Sequence, residues 1–148
     1  MSQTKRASCV CGKVELAVDI DVQQGLRRCN CSACTKRGWL SAAVPNEALR
    51  VTAGAEHVVV GEASPWWTGR RCGSCQVVLF GTVEAPEAGG PRTILNVRLL
   101  DDVSLHGAPV VWLDGRGDTW APYATEPHHE PEPGRRAAAR ADGAAQER

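Results

Sequence analysis

The chain has 148 residues, a hydrophobic share of 43% and a formal net charge of zero. That length suits one ordinary domain, and the balanced charge gives no global pull toward nucleic acid or an anionic membrane. No apolar run is long enough to span a bilayer, so neither a membrane nor a nucleic acid is expected as a partner.

Residues 1–7 are polar and basic, with no apolar core of a secretory signal, and are expected to form a flexible N-terminal arm. The first cysteine pair follows as Cys9-Val10-Cys11-Gly12. Val14, Leu16, Val18 and Ile20 then alternate with Lys13, Glu15 and Asp19, the clearest strand pattern in the chain. After a turn at Gln23-Gln24-Gly25, a short strand from Leu26 leads into Cys29-Asn30-Cys31-Ser32-Ala33-Cys34. Extended stretches are predicted over Trp39–Val44, Arg50–Thr52 and His57–Val60, with one helical turn started by Pro45 between the first two.

Ser64-Pro65 breaks the pattern before Trp66-Trp67, and a third cysteine cluster follows as Cys72-Gly73-Ser74-Cys75. Gln76–Val83, Thr93–Leu99 and Val110–Leu113 are predicted strands, with a loop at Pro86–Pro91 and a turn at Asp114–Asp118. From Glu126 the composition turns to Pro, Ala and Arg, and residues 126–148 are expected to be a disordered tail. The domain itself is expected over residues 8–125. No segment holds a helical apolar period for more than about two turns, so the fold class is all-β.

Seven cysteines cannot all pair as disulfides, and all seven fall in the three clusters. Reduced thiols on zinc in the cytoplasm are the expected state. Spacing alone leaves the partition open. The simplest division puts Cys9, Cys11, Cys72 and Cys75 on one structural zinc and Cys29, Cys31 and Cys34 on another. Three thiolates leave an open coordination position, which a catalytic zinc needs. A second structural zinc, completed by His57, His106 or an Asp, is the plainer alternative. Arg27, Arg28, Lys36 and Arg37 flank the triple cluster and suit the carboxylates of a thiol substrate. Trp39, Trp66 and Trp67 are expected to pack in the core or on a sheet face rather than to wall a site. His57 and His106 are the candidate general bases by residue type.

The order C-x-C-G, C-x-C-S-x-C, C-x-x-C resembles the glutathione-dependent formaldehyde-activating enzyme family, which also contains the centromere protein V domain. Arg27–Ser32, Val44-Pro45, Ala48–Val51 and Asn96–Asp101 add to the resemblance, which covers Ala7 to Ala121. It implies a β-tent of short antiparallel sheets joined by zinc knuckles. It implies two zinc sites, one structural with four cysteines and one open with three, and catalytic roles for Cys29, Cys31 and Cys34. It implies carbon–sulfur lyase activity of the S-(hydroxymethyl)glutathione synthase type, on a thiol–aldehyde adduct such as glutathione plus formaldehyde. A non-catalytic zinc module that binds a protein or a small thiol is the alternative. The chain departs from the family pattern at Arg71, where an aromatic residue is usual, and at Gln76, where glycine is usual; Asn30 stands where some members carry histidine.

Overall fold

The computed structural model describes residues 2–131. Two sheets carry the fold. The smaller has the order β1-β2-β5 and is built from Gln3–Ser8 (β1), Glu15–Ile20 (β2) and Leu49–Ala53 (β5). The larger has eight strands in the order β11-β10-β3-β4-β9-β8-β7-β6. Its members are Leu26–Cys29 (β3), Ser41–Val44 (β4), Val58–Ala63 (β6), Thr68–Cys72 (β7), Val78–Val83 (β8), Arg92–Asn96 (β9), Pro109–Leu113 (β10) and Pro122–Pro127 (β11). One short helix, Ser32–Arg37 (α1), follows the triple-cysteine run.

The all-β class and the short sheets hold. The alternation over residues 14–20 becomes β2, whose Leu16, Val18 and Ile20 are buried while their neighbours are half-exposed. These side chains meet Leu26, Leu79, Leu95, Val97 and Val110 of the larger sheet's side in one core cluster. A period of two fixes which face is apolar, and burying that face selects the register.

Several expectations need correction. The N-terminal arm is β1, paired antiparallel with β2 from Gln3↔Ile20 to Ser8↔Glu15. Its residues are polar because β1 is an edge strand with only Ala7 fully buried, so backbone pairing rather than side-chain pattern forms it. The domain does not stop at residue 125: β11 runs to Pro127, and His128 exchanges backbone hydrogen bonds with Gly107 and Ala108. The rest of the expected tail, residues 132–148, lies outside the described residues. β7 and β11 were not legible as strands, since neither alternates. The pairing is not wholly antiparallel, because β10 runs parallel to β3. The strand predicted to continue to Leu99 ends at Asn96 and gives way to a 3-10 turn, in which the Asn96 side chain accepts from Arg98 N.

No helix among the described residues is long and apolar enough to cross a membrane.

Candidate metal centres

Cys9 and Cys11 sit on the turn between β1 and β2, and Cys72 and Cys75 on the turn between β7 and β8. The fold brings these two turns together across 61 residues of chain. Sγ of Cys11 lies 3.5 Å from that of Cys9 and 3.8 Å from that of Cys72. All four sulfurs lie within 4.8 Å of one another. Tetrahedral zinc with bonds of about 2.3 Å sets its sulfurs about 3.8 Å apart, so the four fit one such ion.

Backbone amides are already turned toward these sulfurs. Val14 N donates to Cys9 Sγ at 3.3 Å, and Ser74 N to Cys72 Sγ at 3.4 Å. Burial pushes the Cys75 thiol up, but the amides of Val77 and Cys11 and the neighbouring thiols outweigh it and bring Cys75 down to about 6. At Cys11 the Lys13 amide pulls down, yet burial and three crowded sulfurs together push it up to about 11. The protein alone thus favours some thiolates and resists the full set, a conflict that a bound cation removes. Cys72 is fully buried and Cys9 nearly so, as befits a closed structural site.

The triple cluster is formed locally. β3 delivers Cys29, and Cys31 is the N-cap of α1, its sulfur accepting from Cys34 N at 3.4 Å. Cys31 N in turn donates to Cys29 Sγ at 3.4 Å. The three sulfurs lie within 4.8 Å of one another, and no His, Asp, Glu or further Cys joins them among the described residues. His57 and His106 are therefore not brought in as fourth ligands. The His57 backbone carbonyl instead accepts from Gly73 N beside the other cysteine group, and His106 meets His129 edge to face. Burial raises the Cys31 thiol, but the Cys34 and Ala33 amides and the adjacent thiols bring it below the ordinary value. Cys34 is pushed up to about 12 by burial and then by the charge of Cys31 and Cys29. Cys31 and Cys34 are thus pushed in opposite directions, a conflict that a bound cation removes.

The loop at Asp114–Asp118, whose sequence predicts only a turn, covers one side of this group. Asn30 Nδ2 donates to Asp114 Oδ1 at 2.9 Å, and Arg116 N donates back to Asn30 Oδ1 at 2.7 Å. The Asn30 amide, and then Gly117 N, hold the Asp114 carboxyl below its usual range. Gly115 lies against Cys29: a Cβ there would collide with Cys29 Sγ and stand 3.1 Å from both Cys31 Cβ and Trp120 Nε1. The glycine-flanked Asp114-Gly115-Arg116-Gly117-Asp118 turn was the available signal, but nothing in it names the partner. Gly115→Ala is expected to displace Cys29 and weaken the second metal roughly 10- to 100-fold, as a misplaced supporting contact does. Competition with a chromophoric chelator measures this. An unchanged affinity would mean the loop yields freely.

On the other side, Cys34 opens onto a cleft of about 260 Å³ walled by Trp39, Trp67, Val78, Arg37 and Glu62. Trp39 and Trp67 meet edge to face with centroids 6.5 Å apart. This corrects their expected place in the core. Trp67 does lie on a sheet face, over Gly81, where a side chain would collide with its ring. Trp66 is exposed. Of the four flanking cations only Arg37 reaches the cleft, paired with Glu62 at 3.2 Å. Arg28 lies 5.9 Å above the Trp112 ring, Arg27 is half-buried in β3, and Lys36 is exposed on α1.

A family model described as glutathione-dependent formaldehyde-activating enzyme matches residues 4–113. The crystal structure of a Rhodobacter sphaeroides protein is similar, with 27% identity and a TM-score of 0.57, covering 67% of this chain and 90% of that one. No curated protein matches the chain.

Proposed function

The chain belongs to the glutathione-dependent formaldehyde-activating enzyme family, and from that premise we propose that it is a zinc-dependent carbon–sulfur lyase of the S-(hydroxymethyl)glutathione synthase type. The carrying observation is the triple-cysteine group: three sulfurs within 4.8 Å, no fourth protein ligand among the described residues, and Cys34 on the wall of a cleft. Zinc suits both all-sulfur groups. Seven free thiols suit a reducing compartment, and the cytoplasm is the proposed location.

A metal on three thiolates supplies Lewis acidity and lowers the pKa of a thiol that joins it. The protein's own part is to hold and to exclude. Cys29, Cys31 and Cys34 would hold the ion, with the Cys31 and Cys34 amides fixing two of the sulfurs. The loop at Asn30, Asp114 and Gly115 covers one side, so the substrate enters along Trp39 and Trp67. These rings keep the reacting carbon in apolar surroundings, where the polar contacts strengthen. In the forward direction the sulfur–carbon bond forms as the carbonyl π bond opens, and the thiol proton ends on the carbonyl oxygen. The reverse step returns that proton to sulfur and releases the aldehyde.

The test is exchange NMR between free formaldehyde and its glutathione adduct. Zinc-loaded protein is expected to raise the exchange rate above that of buffer in proportion to enzyme concentration. A rate equal to buffer overturns the lyase reading.

A further inference from the structure

A second cavity of about 150 Å³ adjoins the cleft beside Cys34, and Arg37, Glu62 and Val78 line both. Beyond them the lining includes Arg70 and Arg71 of β7. Both are half-buried, and among the described residues no ion pair joins either to a carboxylate. The one carboxylate of this cavity, Glu62, is engaged by Arg37 at 3.2 Å and by Trp67 Nε1 at 3.2 Å. Arg70 lies 5.9 Å from the Phe80 ring centroid. The adjoining linings thus lead from Cys34, past Trp39 and Trp67, to the guanidiniums of Arg70 and Arg71, neither of which has an ion-pair partner among the described residues.

The structure joins Arg71 to Gln76. Arg71 Nε donates to Gln76 Oε1 at 2.6 Å, and Gln76 Nε2 donates to Gly73 O at 2.9 Å. Gln76 has φ 70°, the left-handed conformation that glycine adopts without strain. Gly61 leaves room for the guanidinium, since a Cβ there would stand 2.9 Å from Arg71 Nη1.

We propose that Arg70 and Arg71 form an anion subsite for a carboxylate of the thiol substrate, remote from its sulfur, and that Gln76 positions Arg71. The proposal rests on the functional reading above for the thiol end. A planar, charged fork is the group that pairs best with a carboxylate, and partial burial strengthens the pair. Arg27, Arg28 and Lys36 are not needed for it.

The experiment is calorimetric titration of the zinc-loaded protein with glutathione and with its diethyl ester, which keeps the thiol and removes both negative charges. The acid is expected to bind roughly tenfold tighter than the ester, with the gap narrowing as salt rises. Arg70→Gln and Arg71→Gln should each weaken the acid by a similar factor and leave the ester unchanged. Gln76→Gly relieves the left-handed strain, so it should keep both metals and the melting midpoint while weakening the acid alone. A purely structural Gln76 would instead lose midpoint and leave the acid–ester gap intact. Equal affinity for acid and ester in the wild type overturns the subsite and spares the lyase reading. Failure of both ligands to bind overturns the thiol-binding reading, and the subsite with it.

Discussion

Cys72→Ser is expected to yield a chain that does not fold at room temperature. A structural zinc contributes on the order of 10 kcal/mol to folding, and a domain of this size has a net stability of about 5–15 kcal/mol. Loss of one thiolate therefore removes most of the margin. Location adds to the effect. Cys72 is fully buried at the end of β7, its backbone closes the knuckle through Val77 and Gln76, and its sulfur accepts from Ser74 N. The four cysteines join the β1–β2 turn of the small sheet to the β7–β8 turn of the large one, where Lys13 also reaches Ser74 at 3.0 Å. Without the ion, crowded thiols replace a bonded cross-link. Near-ultraviolet circular dichroism and amide dispersion in the NMR spectrum give the readout. A chelator strong enough to strip both metals should reproduce the loss in the wild type. A Cys72→Ser protein that melts at the wild-type temperature would show that this group is not what holds the sheets together.

Cys31→Ser is expected to do the opposite: to spare the fold and end the chemistry. Cys31 caps α1, and serine is among the best residues at that position, so the helix keeps its start. A serine hydroxyl is not ionised at neutral pH and does not replace a thiolate on zinc. Bound zinc should fall from two ions to one, with the melting midpoint kept. The catalysed part of the formaldehyde–glutathione exchange should drop by several kcal/mol of transition-state stabilisation, roughly a thousandfold. Full activity with one remaining ion would move the reaction away from this group. Unfolding of the variant would make the triple cluster a second structural site.

Much of this was legible in the chain because local rules were enough. Val14 to Ile20 alternate strictly, so β2 and its buried face follow from the period of the pleat. The C-x-C and C-x-x-C pairs turn the backbone tightly enough to present sulfurs together whatever surrounds them, and the three-cysteine group needs only six consecutive residues. The division of seven thiols into four and three is the geometry found.

Other features answer to pairing partners distant in sequence. Residues 3–8, 68–72 and 122–127 carry no apolar pattern, and their strands exist because β2, β8 and β10 offer them hydrogen bonds. Of the cations beside the triple cluster, Arg37 lines the cleft, while β3 and α1 turn Arg27, Arg28 and Lys36 elsewhere; Arg70 and Arg71 of β7 line the neighbouring cavity.

The sequence by itself thus determined the all-β class, the thiol ligand chemistry and the local three-cysteine run, because these depend on residue type and short spacing; that Cys9 and Cys11 meet Cys72 and Cys75 was decided by the fold. Only the tertiary structure decided that no histidine completes the triple group among the described residues, that Gly115 abuts Cys29, and that Trp39 and Trp67 wall the approach to Cys34. Gly115 and Cys29 are 86 positions apart and Trp67 and Cys34 are 33 apart, and the packing of two sheets around one core, not any local propensity, sets which of them meet.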